Sequence, residues 1–100
     1  MASKNTILEK LNNRTSEKYI ERALVKHVEA LGGLCIKLLT NHFLGLPDRM
    51  VLLPGGSMFF VELKSTGQKP RKIQEVVHKK LRALGFKVLV IDNVEQINFL

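Results

Sequence analysis

Three side chains in this sequence are of types that act together on phosphate esters, and they lie close along the chain. Asp48 follows Pro47, whose ring restricts φ, and opens the apolar run Met50-Val51-Leu52-Leu53. Glu62 and Lys64 stand two residues apart near the end of Met58-Phe59-Phe60-Val61-Glu62-Leu63-Lys64. Side chains alternate across a strand, so Phe60, Glu62 and Lys64 share one side while Phe59, Val61 and Leu63 share the other. A carboxylate and an ammonium at the end of an apolar strand are costly to bury unless they pair or meet a cation. Hard cations such as magnesium take oxygen ligands, usually one or two carboxylates completed by waters and phosphate oxygens. Asp48 and Glu62 offer two carboxylates, and Lys64 suits neutralising a phosphate or orienting an attacking water. The same periodicity is equally compatible with Glu62 and Lys64 as a solvated charge pair on an edge strand.

The elements that must position these groups are legible around them. Residues 50–53 and 58–64 read as strands, and Pro54-Gly55-Gly56-Ser57 is the turn that pairs them as a hairpin. Upstream, Ser16 is an N-cap with Glu17 in the first turn, opening a helix to about Leu31 that stops at Gly32-Gly33. Its apolar stripe is Ile20, Leu24, Val28 and Leu31, with Ala23 and Val25 beside it, and Glu17 and Glu21 sit on or next to that stripe. Leu34 to Leu39 reads as the first strand of the sheet, with Cys35 a small packed side chain. Thr40 to Leu46 is a loop running into Asp48, and His42 within it reads as a surface residue.

Beyond the hairpin, Ser65 to Lys72 is a polar, basic connection in which Pro70 suits the first turn of a helix. That helix is expected to reach about Leu84 and end at Gly85, with a core stripe of Ile73, Val76, Val77, Leu81 and Leu84. Gln74 falls in its first turn, where its amide can reach back to the polar end of the hairpin and bond a water, a phosphate oxygen or Lys64, or else stand exposed on the helix. Lys87 to Asp92 reads as a buried strand, and Asn93 to Leu100 as a short terminal helix or tail. The strand-helix-strand unit over 58–92 is expected to be a right-handed parallel crossover.

Pro47-Asp48, then residues 49–61, then Glu62-Leu63-Lys64 is similar to the PD-(D/E)XK nuclease signature. More narrowly, Gly45-Leu46-Pro47-Asp48, Val61-Glu62-Leu63-Lys64 and the downstream Gln74 resemble the VRR-NUC family of virus-type replication-repair nucleases, over the stretch from Ser16 to Asp92. The resemblance implies an α/β fold with a restriction-endonuclease-like core, in the order α-β-β-β-α-β, whose central mixed sheet is flanked by helices. It implies a DNA endonuclease in which Asp48, Glu62 and the main-chain carbonyl of Leu63 hold Mg2+ or Mn2+, Lys64 assists and Gln74 supports the site. It also implies an acidic residue from the first helix. Counting from the leading Ser-Glu pair favours Glu17, while counting back from the helix-ending glycine favours Glu21; either is equally well a surface charge. Likeness to stand-alone phage-type members and to junction resolvases implies a phage-encoded homodimer that cleaves four-way (Holliday) junctions in DNA repair. A flap or fork endonuclease, a partner-dependent nuclease module and a non-catalytic DNA-binding module are the alternatives.

One hundred residues make a single domain, read as residues 16–100 with a polar arm over 1–15 in which Ile7, Leu8 and Leu11 are helically spaced. A formal net charge of +7 points to an anionic partner, nucleic acid first. Between Lys69 and Arg82 lie Lys69, Arg71, Lys72, Lys79, Lys80 and Arg82 against Glu75 alone, and Lys69, Arg71, Lys72 and Lys79 are the expected DNA contacts. The single Cys35 rules out an internal disulfide framework and a multi-cysteine zinc site. No apolar run approaches the length of a membrane span and no signal-peptide core is present, so a cytoplasmic protein without a membrane partner is expected. With Tyr 1, Phe 5 and no Trp, no aromatic platform for RNA is apparent.

Overall fold

Ser16 starts the first helix as its position suggests, because its hydroxyl accepts a hydrogen bond from Tyr19 N at 3.1 Å and satisfies a donor that the first turn leaves orphaned. The structure, a computed structural model, describes residues 13–100; the helical spacing of Ile7, Leu8 and Leu11 lies outside those residues. Helix α1 spans Glu17–Ala30, followed by strands β1 (Leu34–Lys37), β2 (Arg49–Leu52) and β3 (Met58–Leu63), helix α2 (Lys72–Ala83), strand β4 (Val88–Ile91) and a 3₁₀ helix over Val94–Phe99. The element order is the expected one. The strands are shorter than their apolar runs, and Leu38, Leu39, Leu53 and Lys64 fall just past the ends, although Lys64 N still donates to Ile91 O at 3.0 Å.

The four strands form one sheet in the order β1-β2-β3-β4, antiparallel as far as β3 and parallel between β3 and β4. In register, Val51 lies between Cys35 and Phe59, and Val61 pairs with Leu89. A parallel neighbour requires a crossover, and α2 provides it. This arrangement makes β3 an interior strand with two differently covered faces. Phe59, Val61 and Leu63 point into the main core, where they meet Ile20, Leu24 and Val28 of α1 together with Val51 of β2, Ile91 of β4 and Ile97 of the terminal 3₁₀ helix. Each such aliphatic side chain taken fully out of water stabilises the fold by about 1.5–3 kcal/mol. Phe60 and Glu62 point the other way, towards α2.

Three expectations change. Leu31 is exposed rather than part of the α1 stripe, because it caps the helix one residue beyond its end. The inner face of α2 is not the apolar stripe: Ile73 is 46% exposed, Val76 48% and Leu84 more so, while Gln74, Val77 and His78 are buried. Glu62 lies beneath this helix, so the helix turns an amide and an imidazole towards the sheet and leaves two aliphatic residues in water. Finally, Pro70 stands before the helix, with Arg71 as its N-cap and Lys72 as its first residue.

Candidate active site

Asp48 owes its position to the residues just before it. Gly45 has φ +91, and a Cβ there would lie 2.7 Å from both Ile73 O and Val77 Cγ2, so the loop closes against α2 only because this residue is glycine. Pro47 is fully buried. Continuing the β2–β3 register by two residues sets Pro47 opposite Leu63, and proline has no N–H to give the Leu63 carbonyl. The Leu63 amide instead donates to Asp48 Oδ2 at 2.8 Å, and the Asp48 carbonyl accepts from Leu38 N at 2.8 Å. The carboxylate is thereby tied to the backbone of the strand that carries Glu62.

Glu62 is 1% exposed, on an interior strand, which excludes the solvated edge pair. Its Oε2 accepts from Gln74 Nε2 at 2.9 Å and lies 3.4 Å from Lys64 Nζ. The Gln74 amide therefore serves the carboxylate rather than Lys64, and its own Oε1 accepts from Arg71 N at 2.8 Å, so the side chain is held at both ends. Among the described residues, Glu62 Oε1 has no hydrogen-bond partner; His78 Nε2 faces it at 3.6 Å and has none either. Burial, and after it the negative charge of Asp48, pushes the Glu62 carboxyl up to about 7 against the opposing pull of Lys64. Burial, followed by the charge of Arg82, lowers the His78 imidazole. His78 escaped the sequence reading. The available signal was its spacing of four from Gln74, which puts both on one side of a helix.

The two first-helix glutamates have different neighbours. Glu17 is raised by partial burial and by the charge of Asp48, with Lys64 opposing, which sets it within the field of the site. Glu21 Oε2 accepts from Arg49 Nε at 3.1 Å, and Arg49 Nη1 donates to Cys35 O at 3.0 Å, so this pair fastens α1 to β2 and β1. Asp48, Glu62, Lys64 and Gln74 are thus brought together with Glu17 nearby, while Glu21 is engaged elsewhere. Cys35 is half-buried with its thiol raised by burial, which fits a packing role.

The basic residues divide as well. Arg71 joins Asp48, Gln74, Leu44 and Ile73 in lining a cavity of about 190 Å³ beside the carboxylates. Lys69 is exposed just ahead of it. Lys72 and Lys79, seven residues apart, lie on the solvent side of α2, turned away from Gln74 and His78. Arg82 Nη2 donates to Val88 O at 2.7 Å, which ties its side chain back to β4. His42 is exposed in its loop.

Among the described residues, no three or more His, Cys, Asp or Glu side chains gather as a metal-binding group. Two carboxylates are nevertheless what a magnesium-like ion uses when waters and phosphate complete its shell. Glu62 is a fully buried carboxylate with a second carboxylate, Asp48, beside it, and a divalent cation relieves their mutual repulsion, so the residues present fit one.

No family model matches the chain. "Putative nuclease p44" of Acyrthosiphon pisum secondary endosymbiont phage 1 is 43% identical to it over 77 residues, which are 77% of this chain and 83% of that protein. A solved structure described as "VRR_NUC domain" is similar with a TM-score of 0.80 and 35% identity, over 85% of this chain and 92% of that one. No helix among the described residues is long and apolar enough to cross a membrane.

Proposed function

The chain belongs to the VRR-NUC nuclease family, and from that premise we propose that it is a magnesium- or manganese-dependent endonuclease that hydrolyses phosphodiesters in branched DNA. The observation that carries the proposal is the buried Glu62 on an interior strand, with Asp48 beside it and Gln74 and Lys64 on its oxygen. A pure binding surface has no use for two carboxylates where phosphates arrive. Asp48, Glu62 and the Leu63 main-chain carbonyl would hold the cation. When bound, a divalent cation lowers the pKa of a water and withdraws charge from the scissile phosphate. Lys64 neutralises charge that develops on the phosphate oxygens and orients the attacking water. Gln74 keeps Glu62 in place from α2, Glu17 adds a carboxylate from α1, and Glu21 serves structure. Lys69 and Arg71 contact phosphates near the cut, and Lys72 and Lys79 extend the contact along α2.

The substrate we propose is the four-way junction, cleaved by a homodimer inside the cell, because a two-fold symmetric substrate calls for paired cuts. Exposed Ile73, Val76 and Leu84 share one side of α2 around exposed Lys80, and these apolar side chains in water support a subunit contact on that side. The test is cleavage of labelled junction, fork, flap and linear duplex with magnesium and with manganese, alongside Asp48→Ala and Lys64→Ala proteins. Symmetric nicks in the junction, lost in both variants and in EDTA, are expected. Intact DNA with every substrate, together with a gel shift that survives EDTA, would replace the enzyme with a binding module.

A further inference from the structure

His78 takes no part in the chemistry described above, yet it is 1% exposed and lies on the inner face of α2, where an aliphatic residue would pack without polar atoms to satisfy. Its Nε2 is buried without a hydrogen-bond partner and lies 3.6 Å from Glu62 Oε1, the other buried side-chain atom in that condition among the described residues. Two orphaned atoms facing each other across a gap slightly too long for a hydrogen bond weaken the fold by comparison with an apolar pair. Such a cost is typical of a functional site whose geometry tightens when its ligand arrives. The other carboxylate oxygen is already held by Gln74 and Lys64. Three groups from two elements therefore surround one carboxylate: Lys64 just past β3, and Gln74 and His78 four residues apart on α2.

We infer that His78 is a positioning residue for Glu62: its Nε2–H holds Oε1 while Gln74 and Lys64 hold Oε2, so that the carboxylate keeps one orientation towards the cation. The inference rests on Glu62 being a cation ligand. It assigns to α2 a second function besides crossover, that of an outer support which sets the affinity of the site. Partners of this kind change metal affinity by about 10- to 100-fold when removed.

The test compares His78→Leu, which fills the space without a donor, with His78→Gln, whose amide nitrogen can take the place of Nε2. Mn2+ binding by calorimetry without DNA is expected to weaken by about 10- to 100-fold in the leucine protein and to recover to within a few-fold in the glutamine protein. The magnesium concentration for half-maximal cleavage should move in parallel, with KM for DNA unchanged. A purely space-filling histidine predicts wild-type cation affinity in His78→Leu, and that result would overturn the inference. If the leucine protein does not fold, the wild-type protein still decides: adding Mg2+ must shift the His78 imidazole nitrogen resonances with the half-saturation of cation binding, and unmoved resonances refute the role. Wild-type protein that binds no Mn2+ would remove the cation reading itself and this inference with it, an outcome distinct from unchanged binding in His78→Leu alone.

Discussion

Glu17 and Glu21 differ by one helical turn and give opposite expectations. Glu21 shares a partly buried ion pair with Arg49, so Glu21→Ala should cost about 1 kcal/mol of stability and leave cleavage nearly unchanged. Glu17→Ala should leave the melting temperature within a degree or two and reduce cleavage, on the order of 10-fold or more. Thermal melts and single-turnover rates on the same preparations decide, and the reverse pattern would exchange the two roles. Glu62 makes a second prediction. Its carboxyl is raised from 4.5 to about 7, so between those values the folded chain keeps a proton that the unfolded chain releases. Its contribution to stability is therefore complete below about pH 4.5 and is lost as pH rises through about 7, a change on the order of 3 kcal/mol. His78, with a lowered pKa, acts in the opposite sense, contributing above 6.5 and less as pH falls. Melts in EDTA should thus show the wild type losing stability relative to Glu62→Gln from pH 5 to pH 8, and parallel curves would contradict the buried carboxyl. Cleavage should rise over the same range, because cation ligation uses the ionised form.

At the scale of elements, α1, the hairpin and β4 follow from local signals: the Ser16 cap, the Pro-Gly-Gly turn and alternating or continuous apolar runs. The orientation of α2 does not. Its aliphatic residues Ile73 and Val76 predict one inner face, and the charge on β3 selects another that includes Gln74 and His78. The loop before Asp48 is fitted to the same helix through Gly45. Gly45→Ala must accommodate both a positive φ and a Cβ 2.7 Å from the Ile73 carbonyl, so it should cost about 1–3 kcal/mol. Because Asp48 is three residues further on, cleavage should fall more steeply than stability at a temperature where the variant remains folded. An unchanged cleavage rate would show that the loop does not set the carboxylate.

At the scale of the molecule, the net charge of +7 predicts that DNA binding weakens steeply with salt. If Lys69 and Arg71 each meet a phosphate, the Lys69→Ala, Arg71→Ala double variant should lower the slope of log affinity against log salt by about 2, measured in EDTA. Lys79→Ala tests whether the DNA path continues over the outer side of α2: a drop of about 1 is expected, and an unchanged slope confines the path to the cavity end of the helix.

The residue types, their spacing and the order of elements determined a great deal without coordinates: an α-β-β-β-α-β chain whose Pro47-Asp48 and Glu62-Leu63-Lys64 lie on a hairpin, with Gln74 at the head of a helix. Those features depend on neighbours along the chain, through turn chemistry, capping and side-chain period. That Glu21 is paired with Arg49, which face of α2 turns inward, and that Arg82 is bound to Val88 while His78 meets Glu62, were decided by tertiary structure. Each depends on a partner distant in sequence, and the cost of burying a charge can be met only by groups that the fold brings to it.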